Sequence, residues 1–590
     1  YRFVRWTGGV PEGVDATSAS IELSLDMGRA VYATFEETDH VPTTTVWKGG
    51  EAGAWGDAAN WSAGAVPGAG DTVVVTGGVS AVTVTLDGPT AQLDALVVSN
   101  GVSSAAVTIH AVGWESAVRA RDVVLGPRAK LACDPCSGGY QCPTSRVWVV
   151  CTSLVLDALA AIDVSAKGWL GAAGSDGAGP GGGVWNSGGS YGGAAGGPTT
   201  AYLDLTRPYG DAAHPRQPGS AGGSTSATCA GGAGGGAVLI EAAGAVVLDG
   251  TLAANGGNAQ SAPGQNAGGG SGGAIEIQCR TITGKTQIAA KSGGKANSGT
   301  DGGGGRIAVH YDRAAQAALG QTALSFTLAP YTWAGTCYHY ESYRYFGECG
   351  TLYLADDALF AGSPCNVFGQ LHTGTGTLAC DSLVLKGTWL AFTQDGFKVN
   401  VAHDVVLNAS YSGSTPFGPR LDIGGALLYR FPCNSDSLVG GFRRAGGAEA
   451  VAFTVGGDFA VTGAYAEVVY RAAELQATNG YDRVPQGGLV EVGGTLSVTN
   501  YTRFTCVSHP TNGVSARIKT RNLAVRKGGR ITADGQGFFG GLGERGALVA
   551  SFATFGVAYV ARPLGAVVFG ALGDRRGRSQ TLVYTLILMA

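Results

Sequence analysis

The sequence predicts an all-β protein, a right-handed parallel β-helix or solenoid with glycine-rich loops, followed by a C-terminal transmembrane α-helical segment. Three observations predict it. First, a glycine run, a short apolar strand and a second strand ending in small residues recur across residues 231–312 with a period of roughly 35–40 residues. Second, a motif of the form x-Ile/Leu-x-Ala-x-Gly returns at Ala161-Ile-Asp-Val-Ser-Ala-Lys-Gly168, Thr251-Leu-Ala-Ala-Asn-Gly256 and Arg530-Ile-Thr-Ala-Asp-Gly535, with a looser copy at Gln287-Ile-Ala-Ala-Lys-Ser-Gly293. One such unit cannot bury its own apolar face, and stacked copies can. Third, residues 546–572 are apolar over more than the ~20 residues that span a bilayer.

Composition narrows the function. The chain has 590 residues, 100 of them Gly, with 45% hydrophobic and only 14% charged residues, so it is neither collagen-like nor disordered overall. A net charge of −4 supplies no field for nucleic acid, and no nucleic-acid partner is expected. Twelve Cys among small and β-branched residues suit an oxidising compartment. Asn60, Asn408 and Asn500 each open an Asn-x-Ser/Thr triplet and are candidate glycosylation sites. The chain starts on Tyr1 with no charged-then-apolar leader, and the expectation is a fragment of a longer protein.

Residues 1–38 read as a small β module. Ile21, Leu23 and Leu25 alternate, Met27-Gly28-Arg29 turns, and Ala30 to Phe35 returns. The segment resembles the last part of an internalin-type B repeat; read without the resemblance, it is an ordinary hairpin. Residues 39–150 open with Val46-Trp-Lys-Gly-Gly, Trp55-Gly-Asp-Ala-Ala-Asn-Trp61 and Val66-Pro-Gly-Ala-Gly-Asp71. This stretch resembles the entry to secreted autotransporter-passenger or adhesin-like β-helix domains, and the tryptophans are expected to cover the open end of a β stack. The rival is an aromatic carbohydrate-binding face.

Short Val- and Leu-rich strands follow, among them Val82–Leu86, Leu93–Val98 and Asp122–Leu125. Cys133-Asp-Pro-Cys136, Cys142 and Cys151 then form an insert. CxxC invites zinc, but no second CxxC or paired His follows, which favours disulfides closing a loop. Residues 151–325 hold the glycine-rich repeats proper. The runs at 171–197, 219–236, 264–273 and 302–305 are expected as loops leaving the rungs, with a disordered or polyglycine-helix-like array as the alternative. Residues 326–540 continue the strands with less glycine and include a Tyr-rich insert at 331–345, where Cys337 could pair with Cys349.

Residues 541–590 follow another rule. Arg562 is the one charge inside the apolar run, and Gly570-x3-Asp574-Arg575-x-Gly577-Arg578 follows it. This closely resembles the loop between the second and third helices of the major facilitator superfamily, in its metabolite:proton symporter branch. The resemblance implies that Asp574, Arg575 and Arg578 form a cytoplasmic charge-pair gate and that Arg562 faces a helix bundle. It also implies a membrane location, yet it covers only about 45 residues. A generic anchor with a basic flank is the alternative, and a join between two genes is the expectation for so abrupt a change.

Nothing in the sequence forms a catalytic constellation. Eight His are scattered without ligand spacing, and the G-x-S-x-G matches at Ser190 and Ser271 lie inside glycine runs. Asp163, Asp249 and Asp301 sit at turns, where Asp is favoured anyway. The expectation is a non-enzymatic, extracellular or cell-surface protein of structural or adhesive role. It needs no cofactor or metal and contacts glycan or cell-wall or matrix material, and its last segment associates with the membrane. The alternative is a membrane transporter.

Overall fold

The computed structural model describes residues 2–8, 15, 17–18, 31–36, 40–136, 142, 144–196, 208–261, 263–319, 323–330, 347–360, 367–385, 388–394, 396–408, 420–423, 452–462, 467–471, 489–499, 502–507, 517–526 and 528–533. They belong to one compact unit, Tyr1–His509 with Val514–Gln536. The candidates Asn500, Arg562, Gly570, Asp574, Arg575, Gly577 and Arg578, and the insert at 331–345, lie outside the described residues.

Strands β1 (Arg2–Gly8) and β2 (Val31–Glu36) pair antiparallel, so the return strand of the first module meets the start of the chain. All other strand ladders among the described residues are parallel. One begins with β3 (Thr44–Val46), and a second with β4 (Ala52–Ala54). The chain then alternates between them: β5 (Thr72–Thr76) stacks on β3 and β6 (Val82–Leu86) on β4. Likewise β7 (Leu93–Ser99) and β9 (Ala117–Leu125) extend the first ladder, while β8 (Val107–Ala111) and β10 (Ala129–Cys133) extend the second.

The glycine-rich part keeps this plan with three strands per rung. After β11 (Arg146–Leu156) and β12 (Ala161–Asp163), one rung contains β13 (Ala237–Ala242), β14 (Ala245–Leu248) and β15 (Thr251–Ala253). The next contains β16 (Ala274–Gln278), β17 (Thr281–Gly284) and β18 (Gln287–Ala289). Each strand lies directly on its counterpart. Then come β19 (Arg306–His310), helix α1 (Arg313–Leu319), β20 (Ser325–Thr327), β21 (Thr351–Leu354) and β22 (Val367–Thr373). Further parallel strands follow, from Thr377–Cys380 to Arg530–Thr532.

Alternation explains the stacking. Every second side chain of a strand points inward, and Ile162, Leu252, Ile288 and Phe326 form one buried column across four rungs. The main core runs from Trp47 to Phe504. At its first rung Trp47, Trp55 and Trp61 bury one another, with centroids 5.1 and 4.8 Å apart. The buried Asp71 accepts from Thr43 N (2.7 Å), Gly68 N (2.7 Å) and His40 Nε2 (2.9 Å) and fixes the chain beside them.

Two parts of the expected fold class are corrected. Large parts of the glycine runs are not loops leaving the rungs, although residues 171–180 are mostly exposed. Residues 187–196, 219–223 and 267–273 are buried and packed on one another. Their amides and carbonyls pair between runs: Gly189 N donates to Gly269 O (2.9 Å), Gly232 N to Gly268 O (2.9 Å) and Gly303 N to Gly189 O (2.9 Å). A Cβ on Gly270 would stand 1.9 Å from Ala233 O, so only glycine lets the backbones come this close. The packing is backbone on backbone, which satisfies the polar groups that burial would otherwise strand.

The second correction concerns helices. The structure is mostly parallel β-sheet with one seven-residue α-helix, α1, and short 3-10 turns among the described residues. No helix among them is long and apolar enough to cross a membrane. The expected C-terminal transmembrane helix, at 541–590, falls outside the described residues and gains no support.

Candidate functional site

The first ladder has an outward face. In β11, β13, β16, β19 and β21 the side chains of Val149, Ile240, Ile277, Val309 and Leu354 point into the core. Their neighbours therefore point out, and the register lines up Trp148, Leu239, Glu276, Ala308, Tyr353 and His372. One pair further along, Glu241, Gln278 and His310 are aligned.

Residues 208–217 cross this face and are pinned to it. Arg306 Nε donates to Tyr209 O (2.9 Å) and His310 Nε2 to Ala213 O (2.7 Å). Glu276 is wholly buried beneath the segment. Its Oε1 accepts from His214 Nδ1 (3.0 Å) and Gln278 Nε2 (2.8 Å), and its Oε2 accepts from Arg216 Nε (2.9 Å). The rings of His214 and His310 stack at 4.8 Å and 7°, and Tyr353 follows at 5.3 Å from His310. Burial raises the pKa of Glu276, but the bonds from Arg216, His214 and Gln278 outweigh it and hold the carboxyl below its ordinary value. The bond to Glu276 in turn raises Arg216. Burial, aided by Arg306, pushes His372 down to about 4, so its ring is neutral at physiological pH.

Beside this cluster the guanidinium of Arg146 is held between two indoles, 4.3 Å from Trp114 and 4.5 Å from Trp148. Trp148 Nε1 donates to Glu241 Oε2 (2.9 Å), which fixes the ring. Both indoles are half-buried. Among the described residues, His214, Glu276 and His310 are also a group able to hold a metal, with ligand atoms all within 4.8 Å of one another. A cavity of about 670 Å³ lies elsewhere, between Asp357, Phe360, Cys380, Asp381 and Val401. Its carboxylates are engaged, Asp357 by Ala379 N (2.8 Å) and Asp381 by His403 (2.8 Å).

The residues singled out in the sequence lie apart from this face. Asn60 is half-buried and its Nδ2 donates to Ala54 O (2.9 Å). Asn408 ends the strand Val405–Asn408 and pairs with Thr462. Cys136 and Cys142 form a disulfide, whereas Cys133 and Cys151 are buried thiols outside it. Ser190 and Ser271 are fully buried in the glycine packing, where Ser190 Oγ accepts from Ala195 N and Ser271 Oγ from Ser220 N (both 2.8 Å). Asp163, Asp249 and Asp301 accept from the backbone amides of Ser165, Lys285 and Lys295. Sequence reasoning missed the Glu276 cluster, because its members lie 62 and 34 residues apart and only the stacking joins them. The one available signal was a carboxylate inside the apolar strand Ala274-Ile-Glu-Ile-Gln278.

A short segment, about a tenth of the chain, is similar to membrane transporters of the major facilitator type. It is 48% identical over 56 residues to a glycine betaine/proline/ectoine/pipecolic acid transporter of Dickeya dadantii, covering 10% of this chain and 11% of that one. It is 56% identical over 43 residues to an inner membrane metabolite transport protein of Escherichia coli (7% and 10%), and 54% identical over 41 residues to a shikimate transporter of the same species (7% and 9%). No family model matches the chain. No solved structure matches it either. The internalin-type and autotransporter-like resemblances gain no support from these matches. The chain thus spans about a tenth of the length of the curated relatives it matches.

Proposed function

We propose that the chain is a non-enzymatic surface protein of structural or adhesive role, which contacts glycan or cell-wall material through the lateral face around Trp114, Arg146 and Trp148. The observation that supports this is the packing of the Arg146 guanidinium against the Trp114 and Trp148 indoles, with Arg146 and Trp148 fixed on strand β11. Half-exposed aromatic rings offer flat apolar surface to the C–H faces of sugars, and Glu241, Arg119 and Arg216 stand nearby with polar groups for hydroxyls. Arg146 and Trp148 are held on strand β11 and Trp114 on the turn between β8 and β9, so at Trp148 little ordering entropy opposes binding.

The test is binding of the full chain to insoluble wall polysaccharides and a glycan array, with Trp148→Ala as the variant. Loss of one central aromatic contact costs about 2 kcal/mol, a fall in affinity of roughly thirtyfold. No binding to any glycan, or undiminished binding by the variant, refutes the proposal.

A second reading is membrane association, with metabolite transport as its stronger form, supported by the match to transporters over 56 residues. Membrane fractionation of the expressed chain tests association, and substrate uptake by reconstituted vesicles tests transport. A chain found wholly in the soluble fraction overturns both.

A further inference from the structure

We propose that His214, Glu276 and His310 form a divalent-metal site of the zinc class, which latches residues 208–217 onto the sheet. Two imidazoles and one carboxylate are the nitrogen and oxygen donors that zinc prefers, and they leave a fourth position for water. The ligands come from three separate stretches: Glu276 from β16, His310 from the neighbouring β19, and His214 from the crossing segment.

The outer shell is already in place. His310 Nε2 donates to Ala213 O (2.7 Å), which fixes the tautomer and leaves Nδ1 with its lone pair. Arg216 holds Glu276 Oε2 (2.9 Å), so Oε1 is the oxygen offered. His214 Nδ1 stands 3.0 Å from that oxygen, with a proton between them. Zinc takes the place of this proton, and the imidazole binds neutral through Nδ1 with its hydrogen on Nε2. A ring that starts neutral shifts its tautomer, one that starts charged loses one proton to solvent, and the carboxylate is the second ligand. Bond lengths of 2.0–2.1 Å set neighbouring donors on a tetrahedral zinc about 3.3 Å apart, close to the 3.0 Å already present.

The donor groups lie within 4.8 Å of one another, so the set must close by up to roughly 1.5 Å to reach the tetrahedral spacing. The stacked imidazoles send their lone pairs along parallel planes, so one ring has to rotate. His214 can do so: its side chain is 53% exposed and it sits on the crossing segment, not on a strand. Glu276, with three partners and no exposure, stays. The guanidinium of Arg216 opposes the incoming cation and keeps affinity moderate.

The experiment is zinc binding by the tag-free full chain, by equilibrium dialysis and calorimetry at neutral pH. The wild type is compared with His214→Ala and with His403→Ala, an exposed histidine paired with Asp381. The expected result is one zinc per chain for the wild type and for His403→Ala. In His214→Ala, affinity falls by at least the roughly tenfold to hundredfold that losing even an outer-shell partner brings. Zinc should also slow hydrogen exchange at 208–217 in the wild type and not in His214→Ala. His214→Ala exchanges an exposed side chain, so the fold is kept, as circular dichroism will check. No zinc bound by the wild type overturns the proposal, as does equal binding by His214→Ala.

Discussion

Gly270→Ala tests the packed glycine segments most directly. A Cβ at this position would stand 1.9 Å from Ala233 O, 2.4 Å from Ala233 C and 2.9 Å from Gly232 O, all backbone atoms. Real contacts of this kind do not fall below 3.0 Å, so the segment carrying Ala233 must retreat by more than 1 Å. That retreat lengthens the bonds Gly257 N to Ala233 O (2.7 Å) and Gly232 N to Gly268 O (2.9 Å) beyond useful range. Each buried group left unpaired costs about 1–3 kcal/mol. The stiffer unfolded chain returns only about 0.4–1 kcal/mol, so for the two bonds together the net loss is about 1–5 kcal/mol. Gly101→Ala is the control, because no heavy atom lies within 4 Å of its Cβ and its φ is ordinary. It should be neutral or slightly stabilising. Denaturant unfolding gives both values, and hydrogen exchange across 219–236 and 267–273 locates the damage. If Gly270→Ala unfolds within about 0.5 kcal/mol of the wild type, the close packing is refuted.

Other outcomes follow from buried charges and thiols. Glu276→Gln should cost about 1.5–3 kcal/mol near neutral pH, as hydrogen bonds to a charged group do. The folded pKa lies below the unfolded value of 4.5, so this contribution is full above pH 4.5 and is lost as pH falls through the lower folded value. Unfolding curves of wild type and variant should therefore converge in acid; a constant gap refutes the ion-pair reading. Asp71, raised by burial but lowered more by the amides of Thr43 and Gly68 and by His40, obeys the same sign. Asp71→Asn should lose about 2 kcal/mol and open the first rung to limited proteolysis, whereas unchanged cleavage would show that the carboxylate does not hold it. Burial pushes the thiols of Cys133 and Cys151 up to about 12, so iodoacetamide should leave both unlabelled until denaturant is added. Rapid labelling of the native chain, read by mass spectrometry, would show that they are open.

The strands were readable because their side chains alternate. Leu252, Ile162 and Ile288 carry the repeated motif, and all three sit fully buried in one column. The glycine segments were not readable, because a glycine has no side chain to mark which face is in or out. A run of glycines reads the same whether solvated or packed; only the neighbouring backbone decides. The cluster around Glu276 was hidden for a different reason. Its residues are placed by rung stacking and by the path of 208–217 across the face, and neither follows from local spacing. The transporter signature at Gly570, Asp574, Arg575, Gly577 and Arg578 was the most legible motif in the sequence, and it lies beyond the described residues.

The glycine segments and the lateral face depend on each other. Gly236, Gly273, Gly305 and Gly350 immediately precede β13, β16, β19 and β21, the strands that carry the face. They stack in one column: a Cβ on Gly273 would meet Gly236 O at 2.0 Å, one on Gly305 would meet Gly273 O at 2.2 Å, and one on Gly350 would meet Gly305 O at 1.9 Å. Paired strands must lie about 4.7–4.9 Å apart, so at this corner a side chain would have to force neighbouring rungs beyond the distance at which their ladders hold. Glycine at the entrance of each strand therefore fixes where that strand begins, and with it the height at which Glu276 and His310 stand. Asn255 and Asn258 apply the same spacing from within the bend. Their Oδ1 atoms accept from Lys291 N (2.9 Å) and Gly294 N (2.8 Å), each 36 residues on. The spacing between rungs is thus held by backbone approach at glycine and by amide bridges at asparagine, while the alternation of the apolar strands decides which way each rung faces.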